Sequence, residues 1–184
     1  MTHFEFVSIA GSIVLGLTIA RLLEGLRDSF DPTRRYWIHA VWVVGKLINA
    51  LLIFWAGWMI RDEVETWNFA QFVISLGPPA ILYLQAHTLV TAHPDQVTDW
   101  RRHFWQIRRW FFGTNALLPL YNGLAIYLLA GREFPSAELG PLIVVLLLSV
   151  LGIAHSNERL HGAIAILYSV TLSVGFGTLW VIRT

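Results

Sequence analysis

The 184 residues are 55% hydrophobic and only 14% charged, with nine Trp and no Cys, whereas an ordinary soluble domain carries about 25% charged residues. The 13 basic and 12 acidic residues leave a formal net charge of +1, and the basic ones sit in short clusters beside apolar runs, a pattern that excludes nucleic acid as a partner. Without cysteine there is no disulfide, thiolate ligand or redox pair, so the composition indicates a membrane protein without sulfur chemistry.

The first apolar run covers residues 4–26, with Arg21 free to snorkel toward a membrane surface. Met1–Phe6 carries Glu5 and no Lys or Arg, so it does not read as a cleavable signal peptide, and the run is expected to stay as structure. A second run, 36–60, is bracketed by Arg35 and Arg61 and holds a single formal charge, Lys46. The third, 68–92, contains Gly77-Pro78-Pro79, where an interruption is expected. The fourth, 109–131, carries Asn115, Pro119 and Asn122; the fifth and sixth are 139–157 and 160–182. Ahead of the fourth, Val97, Trp100, Phe104, Ile107 and Phe111 recur at helical spacing while Arg101, Arg102, Arg108 and Arg109 fall mostly elsewhere. That pattern predicts an amphipathic helix lying on the inner leaflet and running into the fourth span.

The expected fold is all-α: one integral membrane domain over 1–184, a polytopic bundle of six transmembrane helices with an interfacial helix before the fourth. Connections one, three and five hold nine basic residues, against three (Arg61, Arg132, Arg183) on the opposite side. The positive-inside rule then puts those three connections in the cytoplasm and both termini outside, as in a bacterial inner-membrane protein. Two stripes of mostly small residues recur every fourth position: Ser8, Ser12, Gly16, Ala20, Glu24 in the first run and His161, Ala165, Ser169, Ser173, Gly177 in the sixth. Packed on each other, they would join Glu24 to His161, unless one of them mediates oligomerisation instead.

Lys46 stands about 16 Å inside its span, near the middle of a ~30 Å hydrocarbon core. A mid-bilayer Lys costs roughly 2.5–3.5 kcal/mol on insertion scales, and the aliphatic and aromatic residues around it return about as much or more. The polar groups expected at its depth are neutral: Asn49 on its own helix, Asn115 and Asn122 on the fourth, and Ser149, Ser169 and Thr171. With His39 at the mouth, these residues predict a hydrated path, and an ammonium without a carboxylate favours an anion or a polar solute. The function this implies is a small homo-oligomeric channel or facilitator in the bilayer, with no cofactor and with the cytosolic histidines conferring pH sensitivity. The alternative is a membrane-embedded metal- or haem-binding protein centred on Glu24, His87, His155, Glu158 and His161, since Glu158-x2-His161 matches one Glu-x-x-His motif of di-metal bundles. A third reading is an accessory subunit of a larger complex. Ser156-Asn157 is expected to end the fifth helix in a tight hairpin and cap the sixth. No phosphate-binding loop, Gly-x-Ser-x-Gly elbow or His-Glu-x-x-His pair is present, so no reaction class is indicated and no catalytic residue is assigned.

Overall fold

The computed structural model describes residues 3–59, 67–91, 93–130 and 136–181. Among them there are six α-helices and no strand: α1 (His3–Ser29), α2 (Trp37–Met59), α3 (Phe69–Leu89), α4 (Trp100–Ala130), α5 (Ser136–Ala154) and α6 (Glu158–Val181), with one 3-10 turn at Pro94–Gln96. Three helices are long and apolar enough to cross a membrane, over Phe4–Ser29, Trp37–Trp58 and Phe69–Leu89, and Leu139–Ala154 is a shorter apolar helix. Their outward faces carry large apolar side chains such as Ile13, Leu17, Phe54 and Leu147, each more than half exposed, a surface compatible with a membrane protein.

Local chemistry sets the helix ends. Asn68 and Gln71 form a reciprocal capping box that starts α3, Asn68 Oδ1 accepting from the Gln71 amide at 2.9 Å. In the hairpin at Ser156-Asn157, Asn157 Oδ1 accepts from the Arg159 amide at 2.9 Å and opens α6, as its sequence predicts. The Gly77-Pro78-Pro79 stretch does not interrupt α3, which runs through both prolines. A proline at 78 leaves the Ile74 carbonyl without its helical donor, and the Tyr121 hydroxyl of α4 takes that place at 3.1 Å. Gly77 lets the Tyr121 ring lie against bare backbone, where a Cβ would collide with it.

α2 is the helix with the most neighbours. It packs on α1, α3, α4 and α6, and an arc of further contacts runs through α1–α3, α3–α4, α4–α5 and α5–α6. The main core lies at the end where chain connections one, three and five meet, with Trp42, Trp100, Phe104, Phe111, Phe112 and Tyr168 fully buried there. Arg34 ties the connections together, donating to the carbonyls of Pro94 (2.9 Å) and Val97 (2.8 Å) while pairing with Asp28 and Asp31.

One expectation is corrected by this packing. The stripes of α1 and α6 do not join: α1 packs on α3 and α2, α6 on α2 and α5. Gly16 and Ala20 are left exposed, Glu24 pairs with Arg21 in its own helix, and His161 is buried beside Phe104, Trp105 and Phe112. The face of α1 that the bundle buries is its bulky one, through Val7, Leu15 and Leu22. From Trp100 on, the apolar stripe ahead of the fourth run forms the opening turns of α4, continuous with the rest of that helix, and its Trp100, Phe104 and Phe111 are buried in the protein core.

Candidate functional site

α2 carries Lys46 into the centre of the bundle, where the residue has no exposed surface. Its ammonium donates to Asn115 Oδ1 on α4 and to the Tyr168 hydroxyl on α6, the latter at 2.9 Å. Asn49, one turn along α2, donates from Nδ2 to the same Tyr168 oxygen at 3.0 Å. Asn115 Nδ2 donates to Ser149 Oγ on α5 at 2.8 Å, and Ser149 passes its own proton to the Val145 carbonyl at 2.6 Å. Four helices thus meet in one polar chain around one amine.

Aromatic rings complete the wall. Lys46 Nζ lies 4.8 Å from the Tyr168 ring centre, 5.6 Å from Phe111 and 5.9 Å from Trp42. Ring faces attract a cation, most strongly where water is excluded, so the cage suits a protonated amine. The carboxylates stand elsewhere: the hydrogen-bond partners of Lys46 are all neutral. Trp42 Nε1–H, one turn from Lys46, is buried without an acceptor among the described residues.

The predicted path residues divide accordingly. Lys46, Asn49 and Asn115 come together, with Ser149 as the fourth member. Asn122 lies two turns farther along α4, half-buried and outside the network. His39 belongs to a different cluster, between Ser29 Oγ (3.0 Å) and the Leu89 carbonyl (3.0 Å), with its ring stacked on Trp100. Sequence reasoning missed Tyr168. It follows Glu158 by ten residues, as Lys46 follows Tyr36 by ten, so matched depth on two helices entering from the same side was the available signal.

The metal-ligand alternative is not assembled. Among the described residues no three His, Cys, Asp or Glu side chains gather as a metal site would require. Glu24 pairs with Arg21, and Glu158 with Arg101 at 2.7 Å; Arg101 holds the Glu158 carboxyl below its usual range, first by hydrogen bonding and then by charge. His87 lies against Tyr83, and His161 Nε2 contacts the His155 carbonyl at 2.9 Å. The histidines and arginines at this end serve mainly as caps. His39 and His103 both reach the Leu89 carbonyl that ends α3, and Arg108 donates to the Gly152 and His155 carbonyls that end α5. Basic donors on the last carbonyls of a helix meet the negative end of its dipole. No protein-family model matches the chain, and neither curated proteins nor solved structures yield a similar protein.

Proposed function

We propose that the protein is a six-span integral membrane protein that passes a small anion or polar solute, with Lys46, Asn49 and Asn115 as its mid-membrane selectivity site. Connections one, three and five face the cytoplasm and both termini lie outside, an orientation supported by the nine-to-three distribution of basic residues. α4, at 31 residues, is about 46 Å long, so its first ten or so residues stand in the inner headgroup region and the remainder crosses. A bacterial inner membrane and a homo-oligomer, which six short helices need to enclose an aqueous route, belong to the same reading.

The observation that carries the proposal is a buried basic group whose hydrogen-bond partners are all neutral. A cation held in low dielectric without a counter-charge draws anions and rejects cations. The amine is sealed by Asn115 and Tyr168, so permeation in this reading requires a solute to take their place. Flux of chloride, nitrate and a small neutral solute into proteoliposomes tests it. Wild type is expected to exceed the empty-vesicle leak for at least one of them, and Lys46→Met to abolish that excess. Equal rates in the two proteins would sink the proposal.

The sealed geometry also favours a second reading, in which the network only locks α2, α4, α5 and α6 together and the protein acts through a partner. There, wild type carries no flux, and Lys46→Met loosens the bundle.

A further inference from the structure

α4 turns one of its faces away from the bundle. Residues 102, 106, 109, 113, 117, 120 and 124 are spaced three or four apart, which puts them on one side of the helix. They lie opposite the buried Phe104, Arg108, Phe111 and Asn115. The chemistry of the outward face changes along its length. Arg102, Gln106 and Arg109 are exposed at its start; Trp110 follows at 75% exposure; Leu117, Leu120 and Leu124 continue it, each about half exposed. At Gly113, between the two halves, an added Cβ would meet nothing, so the surface there is open.

The four arginines in these opening turns have separate uses. Arg101 pairs with Glu158, and Arg108 caps α5. Arg102 and Arg109 have neither an acidic partner nor a hydrogen-bond acceptor among the described residues. From Arg109 to Leu117 is about 12 Å along the axis, and from Arg102 to Leu124 about 33 Å. Cationic, then indole, then aliphatic is the profile of a phospholipid read from phosphate through glycerol to acyl chain.

We propose that this face binds an anionic phospholipid from the leaflet on the side of the α3–α4 connection. Arg102 and Arg109 take the headgroup phosphate through charge-assisted hydrogen bonds. Trp110 sits at the glycerol level with its ring in the acyl boundary, and the acyl chains run along Leu117, Leu120 and Leu124. A zwitterionic lipid brings its own cation to the site; two uncompensated guanidinium groups select the lipid whose net charge is negative. The inference rests on the membrane reading of the fold and is independent of permeation.

Native mass spectrometry of the full chain, released from micelles containing equal amounts of phosphatidylglycerol and phosphatidylcholine with matched chains, tests it. Wild type is expected to retain phosphatidylglycerol several-fold over phosphatidylcholine. Arg102→Gln with Arg109→Gln should erase that preference, and Arg27→Gln with Arg159→Gln should leave it unchanged. The single Arg102→Gln change carries the same test should the double variant lose helicity. Equal retention of the two lipids by wild type, an undiminished preference in the arginine variants, or full competition by inorganic phosphate at the lipid's concentration would each overturn the proposal. A protein that stays monodisperse without detergent would overturn the membrane reading instead, and the two failures are told apart by that observation.

Discussion

At Lys46 two kinds of cost oppose each other. Holding the amine in the bundle centre costs about 2.5–3.5 kcal/mol on insertion scales. Its bonds to Asn115 and Tyr168 return less, since side-chain hydrogen bonds in membranes average ~0.6 kcal/mol and reach ~1–2 in favourable cases. Replacing Lys46 by Met, close in volume and apolar, is therefore expected to leave stability unchanged or to raise it by up to ~2 kcal/mol, measured by unfolding in detergent. Tyr168→Phe acts the other way. It strips the acceptor from both Lys46 and Asn49 while leaving their donors buried, and a loss of ~1–3 kcal/mol is expected. A Lys46→Met protein that is stable yet inactive marks a residue kept for function. One that unfolds more readily than Tyr168→Phe marks a lock.

At the scale of elements, the α4–α5 contact depends on a missing side chain. A Cβ at Gly152 would lie 2.6 Å from the Phe112 ring, and that ring is wedged against Trp42 and Phe111. Gly152→Ala is expected to cost ~1–3 kcal/mol through overpacking. Gly16→Ala, where nothing lies within 4 Å, is expected to be neutral or to stabilise α1 by up to ~1 kcal/mol, and thermal unfolding of the pair separates the two cases. The ties between connections respond to acid. Hydrogen bonds from the Thr33 amide and hydroxyl, and then Arg34, hold the Asp31 carboxyl below its ordinary value, while Arg101 does the same for Glu158. A carboxyl with a depressed folded value contributes fully above about pH 5, and the contribution fades as pH falls through that lower value. Amide exchange in residues 30–36 and 98–101 is expected to rise below ~pH 4 with the helix interiors still protected. Exposed pairs of this kind are screened by water and contribute little to global stability, so the effect stays local.

For the whole molecule, orientation is the first thing to establish. The chain has no cysteine, so any introduced thiol is unique. Ser156→Cys, in the α5–α6 hairpin, is expected to react with an impermeant maleimide only after cells are opened, and Thr66→Cys in intact cells. The reverse result would invert the topology and move the lipid site to the other leaflet. Much of this scale is legible in the residues alone. Apolar runs broken by arginines mark where helices start and stop, because a buried backbone in oil must satisfy its own hydrogen bonds. The mid-span position of Lys46 and its neutral company, Asn49 and Asn115, follow from counting residues at a fixed rise per helical turn.

What the residues leave open is which faces meet. The small stripe of α1 reads as a packing surface, yet the neighbours of α1 are α3 and α2, and they take its bulky side. The Val97–Phe111 stripe reads as lipid-facing, yet an apolar stripe looks the same whether protein or lipid covers it, and here Trp100, Phe104 and Phe111 build the core. His161 reads as a ligand, yet its Nε2 lies at the His155 carbonyl just past the end of α5, and His87 lies against Tyr83. Tyr168 enters the Lys46 network only because α6 packs against α2 at Gly45, where the Tyr168 ring would lie 3.2 Å from an added Cβ. Helical period and hydropathy act along one segment, so the sequence alone determined the helices and the depth of each polar group within them. Which groups face one another depends on how six rods share buried area, a property of all of them at once, and only the tertiary structure decided it.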